Sequence, residues 1–297
     1  MSIKHILVPS DFSATATHAL GNALNIAKLH DAKITLLHVV TVYNDDPYSE
    51  EQPFPDLEKF YEQLEQKAAG LFDERISQLA GQDTHIDYVI RRGFSPYEEI
   101  LTFAAENSVD FIAMGTHSRK SVARFFLGSV AENIVHHAKC PVLTVRIEEG
   151  DISIPTYQRI LVATDFYEQS ERALKLASTF LPDNGVVDIL HVVEDVIHPA
   201  YFSAEGDSIF NVMPHIKTNS ENTLSQMANE ILPEDVSRNL IIREGKIALT
   251  ITEFVEENNS DLIVMGTHSM SALAQFLIGS QANKVIRKAV CPVITTK

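Results

Sequence analysis

A motif that could hold an anion occurs twice in the chain, and we call it the glycine-serine motif. The first copy begins Met114-Gly115-Thr116-His117-Ser118 and, eight residues later, ends in Leu127-Gly128-Ser129; residues 265–280 repeat it with the same spacing. Each copy follows a short apolar run, which predicts a buried strand that ends in a glycine turn. The Gly-Ser pair stands where a helix is expected to begin, so free backbone N–H groups and the positive end of the helix dipole would converge there. Such a helix start binds anions, most often phosphate.

An aspartate follows a predicted strand in each half of the chain. Asp11 comes after Ile6-Leu7-Val8-Pro9-Ser10, and Asp165 comes after Ile160-Leu161-Val162-Ala163-Thr164. Two roles are open for each carboxylate: it can accept hydrogen bonds from a ribose hydroxyl, or it can cap the helix that begins just after it. We favour ligand contact, because the glycine-serine motif is expected at the same edge of the sheet.

The two halves align over almost their whole length. Residues 36–40 (Leu-Leu-His-Val-Val) match residues 189–193 (Ile-Leu-His-Val-Val), and a Cys-Pro-Val sequence closes each half. We therefore expect two tandem domains, residues 1–148 and 156–297, each long enough to bury its own core. A short linker, residues 148–157, joins them.

Apolar strands alternate with amphipathic helices throughout the first half. Strands are predicted at residues 3–8, 33–39, 85–90, 111–114 and 141–145, and helices at residues 13–30, 56–80, 96–106 and up to about 137, with Ser13 as the cap of the first helix. This alternation predicts an α/β fold, a doubly wound parallel sheet in each domain, with ligands at the carboxyl ends of the strands. The second half repeats the order, except for an irregular insert at residues 194–217. We interpret the insert as a loop that packs over its own domain, with a lid or a subunit contact as the alternative.

Charge and composition exclude several classes of partner. The formal net charge of −16 would repel nucleic acids and anionic membranes. No apolar run approaches the roughly 18 residues that a membrane-spanning helix requires, and the first residues do not resemble a signal peptide. Cys140 and Cys291 occupy equivalent positions in the two halves. Such positions do not suggest a disulfide, so we expect buried thiols in a reducing cytoplasm.

These features together resemble the universal stress protein family over nearly the whole chain. Nucleotide-binding members of that family carry Gly-x2-Gly-x9-Gly followed by Ser or Thr. This chain has Gly115-x2-Ser118-x9-Gly128-Ser129 and, in its second half, Gly266-x2-Ser269-x9-Gly279-Ser280. The opening residues 9–13 (Pro-Ser-Asp-Phe-Ser) and the His38-Val39 pair are also similar. The resemblance implies two Rossmann-like domains of the adenine nucleotide alpha hydrolase type.

The same resemblance implies a ligand, ATP or a related adenine nucleotide, which Mg²⁺ can accompany. Asp11 would contact the ribose, and the backbone of Val39 would contact the adenine. The remaining residues of the first site would be Pro9, Gly115, Ser118, Arg119, Gly128, Ser129 and Val130. The matching second set is Asp165, Val192, Gly266, Ser269, Gly279 and Ser280.

The chain departs from the family motif at its middle glycine, where both halves have serine. Serine in a left-handed conformation would carry about 1–3 kcal/mol of strain; alternatively the loop relaxes and the hydroxyl contacts the ligand. Three cations, Arg119, Lys120 and Arg124, follow the first loop only. Cations favour phosphate, so we expect the first site to bind more tightly, although the three cations could equally form a solvated helix face.

The family resemblance implies a role in stress adaptation through nucleotide-dependent regulation. A scaffold that has lost its nucleotide sites is the alternative, and a slow ATPase is a third. No catalytic set and no metal-ligand spacing is apparent in the sequence. The family's mode of pairing implies that residues 142–145 pair with residues 293–295 within one chain, covering two sheet edges. Protein partners and a homodimer of the tandem chain are further expectations.

Overall fold

The computed structural model describes residues 2–42, 57–79, 84–116, 127–146, 154–194, 208–267 and 279–297. Ten strands and nine helices lie in these ranges. The strands are β1 His5–Pro9, β2 Lys33–Thr41, β3 Ile86–Gly93, β4 Phe111–Gly115, β5 Val142–Val145, β6 Arg159–Thr164, β7 Val186–Glu194, β8 Ser237–Gly245, β9 Leu262–Gly266 and β10 Val293–Thr296. The helices are α1 Ala14–His30, α2 Leu57–Gln78, α3 Pro96–Glu106, α4 Ser129–His137, α5 Glu168–Ser178, α6 Ile209–Val212, α7 Pro214–Ile231, α8 Ile247–Asn258 and α9 Ser280–Lys288.

The strands form one sheet in the order β3-β2-β1-β4-β5-β10-β9-β6-β7-β8. Within each half every pairing is parallel, and β1 lies between β2 and β4. The chain therefore winds outward from β1 in one direction and then in the other, which confirms the predicted doubly wound α/β fold. Ligands of such sheets bind at the carboxyl ends of the strands where the winding reverses, here between β1 and β4.

Two apolar layers cover the sheet, one on each face. One layer joins the sheet to α1, α2, α5 and α7, and the other joins it to α3, α4, α8 and α9. Each layer draws side chains from both halves of the chain. The two halves therefore share their apolar layers. The predicted boundaries at residues 148 and 156 stay a prediction, because residues 147–153 lie outside the described ranges.

The two halves meet where β5 pairs with β10 in antiparallel orientation, with Thr144 opposite Val293 and Val142 opposite Thr295. This confirms the predicted pairing of residues 142–145 with residues 293–295. The Thr144 hydroxyl adds a hydrogen bond of 3.1 Å to the Val293 carbonyl oxygen. Because the pairing is antiparallel, the carboxyl ends of the strands lie at opposite edges of the sheet in the two halves.

The insert expected at residues 194–217 is in part helical, so the prediction of irregular structure was wrong there. Residues 195–207 lie outside the described ranges, but α6 and the beginning of α7 fall within the insert. Glu244 holds the start of α6, since its carboxylate accepts a hydrogen bond of 2.8 Å from Ile209 N. Pro214 is the first residue of α7, a position where its fixed φ suits a helix. α6 has only 4 residues, too few to show helical periodicity, and α7 begins at Pro214, close to the predicted end of the insert.

The segment expected to be a linker contains a core residue, Tyr157. Its side chain is only 1 % exposed, and its hydroxyl donates a hydrogen bond of 2.6 Å to Asn22 Oδ1 on α1. Its ring lies edge-on to Phe180, with 6.3 Å between ring centroids. Tyr157 therefore anchors the second half in the core of the first, because a buried hydroxyl is stabilised only where it finds a partner.

We expect the Tyr157→Phe substitution to lower the free energy of unfolding by about 1–3 kcal/mol, since Asn22 Oδ1 would then be buried without a donor. The measurement is urea unfolding followed by circular dichroism. Tyr97→Phe is the matched control, because the Tyr97 hydroxyl contacts Glu98 at an exposed position. Equal stability of the two variants would contradict the anchoring role of Tyr157.

Both cysteines are free thiols, and burial raises the pKa of each to about 12. The reactive thiolate is therefore almost absent at pH 7.5, and its population rises only as the pH approaches that pKa. We expect the folded protein to react with a disulfide reagent at least on the order of a hundredfold more slowly than the same protein in denaturant. Rapid labelling of the folded chain, monitored by absorbance, would contradict this expectation.

No helix in the described ranges is long and apolar enough to cross a membrane. In the same ranges, no group of three or more His, Cys, Asp or Glu side chains is arranged to hold a metal ion.

Candidate functional site

A cavity of about 390 Å³ opens at the carboxyl ends of β1, β2 and β4 in the first half, and we call it the first cavity. Seven of the predicted site residues line it: Pro9, Asp11, Val39, Gly115, Gly128, Ser129 and Val130. The strands bring Asp11 and the glycine-serine motif to one edge, as the sequence predicted. Ser118 and Arg119 lie outside the described residues, together with Lys120 and Arg124, so their roles stay predictions.

The start of α4 offers backbone N–H groups to the first cavity. Gly128 is the residue before the helix, and no side chain among the described residues caps it. Its own N–H donates to the Thr116 carbonyl oxygen at 2.8 Å. The N–H groups of the next residues, Ser129 and Val130, belong to the first turn, where an α-helix supplies no internal acceptor. The bare helix start therefore suits an anionic group, as the sequence suggested.

The backbone of Val39 also faces the first cavity. Leu37 O accepts a hydrogen bond of 2.8 Å from Ser10 N, and residues two apart in a strand direct their backbone groups to the same side. The described pairing of β1 with β2 ends at the Pro9–Leu37 pair. The N–H and C=O of Val39 therefore extend beyond the last residue of β1, where a flat polar ring could pair with them.

The turn that carries Asp11 is held in an unusual backbone conformation. Phe12 has φ of 61° and its counterpart Phe166 has φ of 68°, which for a bulky residue costs about 1–3 kcal/mol and is common at ligand sites. Asp11 Oδ1 accepts from Ser13 N at 3.0 Å, and Ser13 Oγ caps α1 by accepting from Ala16 N at 3.2 Å. The helix cap is therefore Ser13, as predicted, and Asp11, which is exposed, is left to face the cavity.

A histidine steadies this turn in each half. His38 Nδ1 donates to the Ser10 carbonyl oxygen at 2.8 Å, and its ring packs 4.7 Å from the ring of Phe12. His191 Nδ1 makes the same bond to Thr164 O at 2.9 Å, and burial lowers the pKa of His191 from its usual value. The sequence identified the two His-Val pairs but did not show that the histidines hold the turn, since that contact joins residues far apart in the chain.

Gly115 serves packing as well as lining the first cavity. A Cβ atom at Gly115 would lie 2.6 Å from Thr15 Oγ1 and 2.9 Å from the Thr15 carbonyl carbon, and one at Gly266 would lie 2.8 Å from Gln169 Cβ. The start of α1 thus approaches the end of β4 more closely than a side chain permits. A substitution here would disturb the fold in addition to any ligand contact.

We expect Gly115→Ala to lower the free energy of unfolding by about 1–3 kcal/mol, because the methyl group would force α1 away from β4. The matched control is Gly70→Ala in α2, where a Cβ atom meets nothing within 4 Å, and which should stabilise the protein by up to about 1 kcal/mol. Thermal unfolding measures both variants. If Gly115→Ala is as stable as Gly70→Ala, the close approach does not constrain the fold.

The second half contains an equivalent but smaller cavity of about 160 Å³, which we call the second cavity. The predicted residues that line it are Asp165, Val192, Gly266, Gly279 and Ser280. Ser269 lies outside the described residues. Gly279, which precedes α9, has no side-chain cap among the described residues, so the helix start is bare here too. The two cavities open at opposite edges of the sheet.

Several lining residues were not identified from the sequence. Pro96 and Ile100 at the start of α3 line the first cavity, and Ile247 and Ile251 of α8 line the second. They are apolar positions of ordinary amphipathic helices, and only the crossover places them over the strand ends. Ser170 is a further lining residue of the second cavity, at the position that Ala16 occupies in the first.

Comparisons with known proteins agree on one family. The model of the universal stress protein family matches residues 2–146 and 156–297. A Staphylococcus haemolyticus protein that carries the name of a universal stress protein is 30% identical to this chain over 154 residues. The match covers 50% of this chain and 88% of the relative. A Staphylococcus aureus relative with the same kind of name is 31% identical over 154 residues, 50% of this chain and 87% of its own length.

A solved structure shows the same fold over both halves. The crystal structure of a universal stress protein from Archaeoglobus fulgidus aligns with a TM-score of 0.71 at 23% identity and covers 99% of this chain and 98% of that chain. The likeness therefore extends to the tandem arrangement.

Proposed function

Because the chain belongs to the universal stress protein family, we propose that its first half binds an adenine nucleotide, with ATP as the principal candidate. The observation that carries the proposal is the convergence of three features on the first cavity: the carboxylate of Asp11, the extended edge of β2 at Val39, and the bare start of α4 at Ser129. Each suits a different part of a nucleotide.

The arrangement supports one orientation of the ligand. The adenine would pair with the backbone of Val39 and lie against apolar side chains such as Leu37 and Ile100, as is usual in ligand pockets. The ribose hydroxyls would donate to Asp11. The phosphates would lie at the N–H groups of Ser129 and Val130, where the helix dipole favours negative charge. Arg119 and a bound Mg²⁺ remain proposals for the phosphate end.

We propose regulation, and not rapid turnover, as the use of this site. Once Asp11 contacts the ribose, the one other described lining side chain that can accept a proton is His38. Its Nδ1 donates to Ser10 O, so only Nε2 could take up a proton, and the ring packs against Phe12 in the turn that carries Asp11. A general base must reach the attacking water, and the described lining supplies little for that role. Hydrolysis would then be slow, and nucleotide occupancy would be the signal.

We expect Asp11→Ala to weaken ATP binding about 10- to 100-fold, the range of a lost hydrogen bond to a charged group. Asp11→Asn retains an oxygen for the Ser13 N–H and should lose less. Isothermal titration calorimetry measures both, and unfolding curves establish that each variant is folded. Glu253→Ala on the exposed surface of α8 is the control for removal of one negative charge.

Two results would contradict nucleotide binding at the first cavity. One is an unchanged ATP affinity in Asp11→Ala. The other is a wild-type protein that shows no heat with ATP and that native mass spectrometry finds empty after gentle purification; this would favour a scaffold that acts by protein contacts.

A further inference from the structure

We infer that Ser170 keeps the nucleotide affinity of the second cavity below that of the first by occupying Oδ1 of Asp165, one of the two carboxylate oxygens that could receive the ribose. The inference rests on the proposed function, since it takes Asp11 as the ribose acceptor in the first cavity and Asp165 as its counterpart.

The carboxylate of Asp165 is engaged inside its own half. Ser170 Oγ donates to Asp165 Oδ1 at 2.6 Å and accepts from Asp165 N at 3.1 Å. Asp165 Oδ1 also accepts a hydrogen bond of 3.2 Å from Tyr167 N. Asp165 Oδ1 therefore has two donors, and the Ser170 hydroxyl closes a ring of hydrogen bonds around it.

The first cavity lacks this ring because Ala16 stands where Ser170 would be. Both are the third residue of their helix, α1 and α5. In the described part of the chain, Asp11 Oδ1 accepts from Ser13 N alone. Asp11 is exposed, whereas Asp165 is partly buried. The first carboxylate is the freer of the two to accept a ligand hydroxyl.

The difference originates in how the two helices are capped. In the first half the hydroxyl lies at Ser13 before α1 and bonds to a helix N–H. In the second half the equivalent position is Tyr167, which makes no side-chain cap to the described residues. The hydroxyl is instead inside the helix, at Ser170, and bonds to the aspartate.

This hydrogen bond is costly to displace. An O–H donor to a carboxylate at 2.6 Å is charge-assisted and stronger than a neutral pair. Ser170 is only 3 % exposed, so a ribose hydroxyl that took its place would leave the serine hydroxyl buried without an acceptor. The ribose therefore gains less at Asp165 than at Asp11.

The test gives each half the residue of the other at positions 16 and 170. It compares the binding of ATP with that of 2′,3′-dideoxy-ATP, which has no ribose hydroxyls. Ser170→Ala is made in an Asp11→Ala background, so that binding at the second cavity is measured, and Ala16→Ser is made in the wild-type chain. We expect Ser170→Ala to tighten ATP binding about fivefold and Ala16→Ser to weaken it about fivefold, the scale of one net hydrogen bond. Binding of the dideoxy analogue should change in neither variant.

A matched control addresses another polar difference between the cavities, Gln281 in the second for Val130 in the first. Gln281→Val is expected to leave the preference for ATP over the dideoxy analogue unchanged. The inference is overturned if Gln281→Val, and not Ser170→Ala, tightens ATP binding. It is also overturned if Ser170→Ala changes the binding of both nucleotides equally, since the effect would then not pass through the ribose.

If the wild-type chain binds ATP with a single site that Ser170→Ala does not alter, only this inference fails. If no variant and no wild-type protein binds ATP, the proposed function fails with it.

Discussion

The antiparallel pairing of β5 with β10 is the interaction on which the arrangement of the molecule depends. It joins two five-stranded sheets into one and removes two open edges, each of which would otherwise expose unpaired backbone groups. Contacts across this junction repeat with approximate two-fold symmetry: Arg146 Nη1 donates to Arg287 O, and Lys297 Nζ donates to His136 O. Glu132 of α4 also contacts Arg287 of α9 at 3.1 Å. These contacts link the helices whose starts line the two cavities, although the cavities themselves open at opposite edges and do not share a ligand.

Each half carries the same constraint at its binding edge. The first helix of each half approaches the fourth strand so closely that glycine is required at residues 115 and 266. The turn between the first strand and that helix places Phe12 and Phe166 in a left-handed conformation. Packing of these rings on His38 and His191 offsets the backbone strain. Since both halves retain this turn, the difference in ribose binding that we propose comes from a smaller change, the position of one hydroxyl relative to one carboxylate.

Much of this architecture was predictable, because it follows from local patterns. The strands and helices of the first half are found close to their predicted bounds, and the predicted residues in the described ranges line the two cavities. The helices within the predicted insert were missed, since tertiary contacts such as that between Glu244 and Ile209 help to stabilise them. Tyr157 was assigned to a linker because its partner, Asn22, is far away in the sequence. The contributions of Ser118 and Ser269 stay predictions.

The sequence by itself determined the repeat, the α/β alternation, the family and the identity of the residues at the strand ends, because each of these follows from the spacing and the type of the residues. Only the tertiary structure decided that the halves share their two apolar layers, that Gly115 serves helix packing, and that Tyr157 bonds to Asn22. The physical reason is that a hydrogen bond or a close approach depends on distances of a few tenths of an ångström between elements. Such distances are set by how the whole sheet and its helices pack, and no local pattern encodes them.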